Sequence, residues 1–253
     1  MKIIRYSLVA ALLAAWSMNA EPVPSGPLAA AIAAFDRGDL ANTEALAAPL
    51  TQGEGARADA CALLGDVRLR QKRVKEAIDL LDRAGKIDPK NPEYQSRLGA
   101  AISQRIGEVN FMQQAVLAGR MCAAFKRSVE IDPSHVPGYL GLSRYYQNAP
   151  AIAGGSMEKA IAFAEEARKR DAFSGTLELG FIAERQGRLD QALAYFGEAL
   201  RLHPEQAWLQ EKTGHVLAML GRPIEARACF EKAINLDPKR ESARQALGAL
   251  PKT

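Results

Sequence analysis

The chain has 253 residues, of which 48% are hydrophobic and 25% charged, with a formal net charge of +4. That balance is ordinary for a soluble globular protein and excludes disorder over most of its length. No run of alternating β-branched residues marks a strand, so the chain is expected to be all-α.

The first twenty residues read differently from the rest. Lys2 and Arg5 precede an apolar run over 8–16, followed by Ser17-Met18-Asn19-Ala20 and a Glu-Pro-Val-Pro tract. This is the three-part pattern of a secretory signal, with cleavage expected after Ala20 and a cut after Ser17 as the alternative. The apolar run is short for a bilayer span, which disfavours the other reading, a retained membrane anchor. Removing residues 1–20 takes away two of the 33 basic residues and none of the 29 acidic ones, leaving 31 against 29, a net +2. So small a charge, spread among acids, implies neither nucleic acid nor an anionic membrane as partner. The expectation is a periplasmic or secreted protein with no stable membrane insertion after cleavage, a linker over 21–27 and one repeat domain over 28–250.

Within that domain a 34-residue period organises the sequence. Residues 24–57 keep the phase through Gly38 but are Ala-rich and lack a terminal proline, as a worn end unit would. Residues 58–91 fit without gaps, with Leu64-Gly65 in a first helix, Ala77, Leu81 and Ala84 in a second, and Ile87-Asp88-Pro89 as the stop. Residues 92–135 open on Leu98-Gly99 and end on Phe125, Ile131, Asp132 and Pro133, with about ten extra residues between. Residues 136–172 carry Tyr139, Leu142 and Tyr146, then Ala160, Ala164 and Ala167 after a shorter insertion.

The last two units, 173–206 and 207–240, superpose with no gap. Gly180 falls on Gly214, Gly187 on Gly221, Ala192 on Ala226, Phe196 on Phe230, Ala199 on Ala233 and Pro204 on Pro238. Small residues at these places let paired helices cross closely, and bulk there would push them apart. Leucine at Gly180 or Ala192 is expected to cost about 1–3 kcal/mol by overpacking, with Glu198→Gln nearly silent. A final helix over 241–250 reads as a cap.

Over roughly 24–250 these columns of Leu-Gly, Gly, Ala, Phe, Ala and Asp-Pro resemble the tetratricopeptide repeats. The resemblance implies a right-handed α-solenoid of about six helix-turn-helix units plus the capping helix. It also implies a binding protein whose first helices line a concave face that takes an extended or helical peptide. The side chains that this register turns inward include Asp66, Arg70, Arg97, Arg144, Phe181, Arg185, Trp208, Lys212 and His215. Arginine and aromatic residues are favoured anchors at interfaces. The middle positions Asp66, Ala100, Arg144, Phe181 and His215 do not match the Lys and Asn arrangement with which some family members clamp a C-terminal carboxylate.

The irregular centre is the most individual part. Val109, Met112, Val116, Met121, Phe125 and Val129 predict a second helix lengthened by two or three turns. Met112, Val116 and Leu117 fall in the added length, where they either contact a partner or second copy or pack on the 149–156 loop. Loop residues 148–156 end at Ser156, an expected N-cap for a helix over 157–169. The amides of Gly154, Gly155 and Ser156 there suit capping better than anion binding. The long helix and Ala-Gly-Gly-Ser loop are similar to those of exported bacterial repeat proteins.

No catalytic constellation emerges. His135, His203 and His215 lack the His-Glu-x-x-His spacing of a zinc site, and neither a Gly-x-Ser-x-Gly elbow nor a phosphate-binding glycine loop is present. Cys61, Cys122 and Cys229 lie on or beside packing columns and read as buried small hydrophobes, with a Cys61 to Cys122 bridge left open. The reading is therefore a non-enzymatic adaptor for a protein or peptide, with no cofactor or metal. A homo-oligomer assembled through the helix near 108–131 is the alternative.

Overall fold

The computed structural model describes residues 26–251, so the signal segment expected over 1–20 and the expected linker up to residue 25 lie outside the described residues. Among those described there are thirteen α-helices and no strand, an all-α solenoid of helical repeats. Two compact units are distinguished, Met1–Asp88 and Pro89–Thr253.

The first unit holds two hairpins, α1 (Pro27–Asp36) with α2 (Leu40–Ala47), and α3 (Ala58–Arg70) with α4 (Val74–Ile87). Its core gathers Leu28, Ala31, Ala47, Ala60, Leu63 and Leu64. The Gly38 position of the repeat adopts φ 78°, and Lys72 takes the corresponding place in the second hairpin at φ 61°. A left-handed residue there ends the first helix so that the second can fold back, and a lysine bears that conformation at some cost. An ion pair ties α2 to α3, Arg68 donating to both Glu44 oxygens at 2.5 and 2.6 Å. That hydrogen bond, aided by the Arg68 charge and opposed by partial burial, holds the Glu44 carboxyl down to about 2.

The second unit stacks α5 (Pro92–Ile106) with α6 (Phe111–Ile131), α7 (Val136–Asn148) with α8 (Met157–Arg170), α9 (Ala172–Arg185) with α10 (Leu189–Leu202), and α11 (Ala207–Met219) with α12 (Pro223–Leu236), then α13 (Glu241–Ala249). Side-chain oxygens start several of these helices. Asn91 accepts from the Glu93 amide at 3.0 Å, Asn110 from Gln113 at 3.0 Å, Ser156 from Lys159 at 3.2 Å and Asp171 from Phe173 at 3.0 Å. Phe196 and Phe230 are buried with the alanine columns around them, Ala192 and Ala199 beside the first and Ala226 and Ala233 in the same helix as the second. Cys61, Cys122 and Cys229 are free thiols, the first two buried and the third half-buried.

Of two details, the first agrees with the sequence reading and the second departs from it. Helix α6 has 21 residues where α4, α10 and α12 have 14. The seven extra residues, roughly two turns and about 10 Å of rise, lie at its N-terminal end. Glu198 is not a free surface acid: it accepts from Arg168 at 2.6 Å and from Thr176 at 3.4 Å, joining α10 to α8 and α9. Glu198→Gln replaces a charge-assisted bond with a neutral one and is therefore not silent.

Candidate interaction surface

In the second unit the first helix of each hairpin, α5, α7, α9 and α11, carries the inward set, and polar contacts run from each of the later ones to the next. Arg144 on α7 donates from Nε to Glu178 on α9 at 2.9 Å, and the Ser143 hydroxyl lies 3.5 Å from the other Glu178 oxygen. Glu178 is only 3% exposed, whereas the Arg144 side chain is 62% exposed. Burial raises the Glu178 carboxyl above its ordinary range, and the Arg144 charge opposes that rise. Arg185 on α9 reaches back to α7, donating to Gln147 at 3.1 Å and to the Asn148 side chain.

Phe181 and Trp208 stand side by side, 6.5 Å between ring centroids and 16° between planes. The Trp208 indole N–H donates to Gln206 at 3.0 Å. Lys212 lies 5.8 Å from the centre of the Phe181 ring and donates to Glu184 at 2.7 Å. Phe181 is also an internal packing residue, edge-on to Phe196 at 5.4 Å. His215 is exposed, 5.1 Å from the Phe230 ring and 3.7 Å from Glu211. Burial works against the Glu211 charge, but hydrogen bonds from Ser242 and Arg240 outweigh it and hold the carboxyl below its usual range.

Arg97 lies half-buried on α5, 3.5 Å from Glu93. With Ala100, Leu140 and Arg144 it lines a groove of about 510 Å³ between α5 and α7, floored by Phe125 of α6. Asp66 and Arg70 belong to the first unit. Asp66 is half-buried, and Arg70 covers the Phe35 ring at 3.7 Å while donating to its carbonyl at 3.2 Å. The second unit therefore joins Arg97, Arg144, Phe181, Arg185, Trp208 and Lys212 into a run of grooves and aromatic rings whose cations are individually paired.

The residues that sequence reasoning missed are the acids and amides that do the pairing, Glu178, Glu184, Gln147 and Asn148. Spacing alone does not point to them: the unit 136–172 is 37 residues long, so the counterpart of Arg144 in the next unit is Phe181, and Glu178 lies about one helical turn before it.

Met112 and Val116 are 78% and 65% exposed. With half-buried Leu117, Val109 and Arg105 they line a shallow recess of about 350 Å³ on the added turns of α6. Among the described residues no group of three His, Cys, Asp or Glu side chains is placed to hold a metal ion, and no helix is long and apolar enough to cross a membrane.

Models of the tetratricopeptide repeat match residues 34–102 and 171–239. A thermophilic repeat protein of Thermus thermophilus superposes with a TM-score of 0.59 at 22% identity, over 76% of this chain and 97% of that one. A tetratricopeptide repeat protein from Parabacteroides merdae does so at 0.56 and 14%, over 88% and 96%. The human IFIT1 dimer gives 0.57 and 18% over 83% of this chain, which spans only 54% of that protein. No curated protein matches the sequence. The chain belongs to the tetratricopeptide repeat family. That fold supports a protein–protein interaction scaffold, and its members are generally non-enzymatic.

The Arg144–Glu178 pair yields a stability test in urea. Arg144→Ala leaves a buried carboxylate without its counter-charge and is expected to lower stability by about 1–3 kcal/mol. Adding Glu178→Gln to that variant should recover most of the loss. Equal losses in the single and double variants would show that Arg144 does not compensate Glu178.

Proposed function

We propose that this protein is an exported adaptor that binds an extended segment of another envelope protein on the first-helix face of its second unit, without catalysing a reaction. The observation that carries this reading is the Phe181–Trp208 pair, with Arg144 and Arg185 on one side and Lys212 on the other. Half-buried aromatic rings offer apolar area that is already ordered, so a partner that covers them gains more than it loses in side-chain entropy. The outward N–H groups of Arg144 and the groove beside Arg97 suit backbone carbonyls and carboxylates of a peptide. The mature net charge of +2 argues against nucleic acid as the partner.

A second reading, a homo-oligomer assembled through α6, is supported by the exposure of Phe111, Met112 and Val116 at 75%, 78% and 65%.

A partner recovered by pull-down from envelope extract and titrated against variants tests the adaptor reading. Trp208→Ala should weaken binding by about 2 kcal/mol, roughly 30-fold. Arg144→Ala combined with Glu178→Gln should weaken it most at low salt, since the lost contact is charged. Lys232→Ala, on an exposed position of α12, should change nothing. Phe181→Ala is unsuitable because it also removes the contact with Phe196. Equal affinity across the set would rule out this face.

Export rests on the pattern of residues 1–20. N-terminal sequencing of protein from a bacterial envelope fraction should find a mature start near Glu21. An intact Met1 on soluble cytoplasmic material would contradict the localisation.

A further inference from the structure

The two added turns of α6 and the 149–153 loop enclose an apolar pocket of about 480 Å³, with Phe111, Ala115 and Ala118 on the helix side and Ala149, Pro150 and Ile152 on the loop side. No charged residue lines it. Its polar groups are engaged within the chain: the Tyr145 hydroxyl donates to the Ala153 carbonyl at 2.8 Å, the Gln114 amide to Val109 at 3.0 Å and the Asn148 amide to Arg144 at 2.7 Å. Pockets that enclose a compact ligand span about 300–1,000 Å³, so this one has room for a large apolar side chain. Its chemistry admits an uncharged, apolar occupant and offers nothing to pair with a charge.

Beside the pocket stands the complementary shape. Ile152 is 94% exposed and touches almost nothing, yet the backbone that carries it is firmly tied. The Gly155 amide donates to the Pro150 carbonyl at 3.0 Å, and the Ser156 amide to Tyr146 at 2.9 Å. At Gly155 a Cβ would stand 1.8 Å from the Ala149 carbonyl oxygen, so the loop closes only with glycine. A large apolar side chain is thus presented in a fixed position without packing of its own. Phe111, at 75% exposure, flanks the same opening from the helix side.

We propose that a second copy of this chain docks here about a two-fold axis, the Ile152 of each copy entering the pocket of the other. This rests on the homo-oligomer reading and gives it a contact. Two observations favour a second copy over a foreign partner. An isologous interface needs one patch that is its own complement, and here projection and pocket adjoin on a single patch. The lining is also uncharged, so pairing the patch with itself brings no like charges together. Phe111 and Ile152, 75% and 94% exposed, supply apolar surface on the helix side and the loop side of the same pocket.

Light scattering on the mature chain over a range of concentrations tests the contact. The wild type should show the mass of two chains. Ile152→Glu and Ala118→Lys, which spoil the projection and the pocket respectively, should each raise the dimer Kd about 100-fold or more with unchanged melting, because each buries an unpaired charge. Mixing the two variants should restore a dimer, since the mixed pair keeps one intact contact and, in the other, sets the introduced carboxylate of one copy against the introduced ammonium of its partner. Ile152→Glu decides alone if Ala118→Lys disturbs α6, because Ile152 is 94% exposed. A wild type with the mass of one chain at every concentration overturns the homo-oligomer reading itself. A wild-type dimer that both variants leave intact overturns only this contact.

Discussion

In most hairpins of this protein, a glycine on the first helix faces a large side chain from the second at a distance that leaves no room for a Cβ. A methyl group at Gly65 would lie 2.9 Å from Leu81, at Gly99 2.8 Å from Phe125, at Gly180 2.5 Å from Phe196 and at Gly214 2.7 Å from Phe230. Each glycine costs the helix roughly 1 kcal/mol in propensity against alanine, so its presence at the helix centre needs a packing reason. The reason is that an entire Phe or Leu is buried against the bare backbone, and burial of such a side chain contributes about 1.5–3 kcal/mol. Helix separation follows from this contact, and with it the alignment of α7, α9 and α11 that sets Arg144 beside Glu178 and Phe181 beside Trp208.

The hairpin of α7 and α8 breaks the rule, and the irregular features gather around it. Ser143 occupies the glycine column there, and Gly141 instead takes the Phe125 ring from the preceding hairpin, at 2.2 Å for a notional Cβ. Phe125 is thus held between Gly99 and Gly141. In place of a buried Phe against glycine, Tyr146 stacks on Phe163 at 5.4 Å with the rings 5° from parallel. The turn of this hairpin lengthens into the 149–156 loop, which lies across from the added turns of α6.

What the sequence disclosed and what it withheld divide along the same physical line. The repeat, the helix ends and the N-cap at Ser156 were legible because each depends on residues at fixed spacing along one chain segment. The lengthened α6 was legible because its apolar positions keep helical period through the insertion. Contacts between side chains of different repeats were not. Arg144 read as an available anchor, and its engagement by Glu178 shows only when α7 and α9 are placed together. Phe181 read as a surface anchor although one edge packs on Phe196, and Glu198 read as a surface acid although it binds Arg168. The exposure of Met112 and Val116 depends on what lies beside the extra turns, for which the regular repeat supplies no precedent.

The glycine–aromatic contact is tested most directly by a double-mutant cycle at Gly180 and Phe196, read from stability in urea. Gly180→Ala in the wild-type background should destabilise by about 1–3 kcal/mol through overpacking against the ring. In a Phe196→Ala background the same substitution meets open space, and alanine's helix propensity should make it stabilising by up to about 1 kcal/mol. That reversal of sign is the predicted result. The same effect of Gly180→Ala in both backgrounds would contradict it, because Phe196 would then not be what requires glycine at position 180.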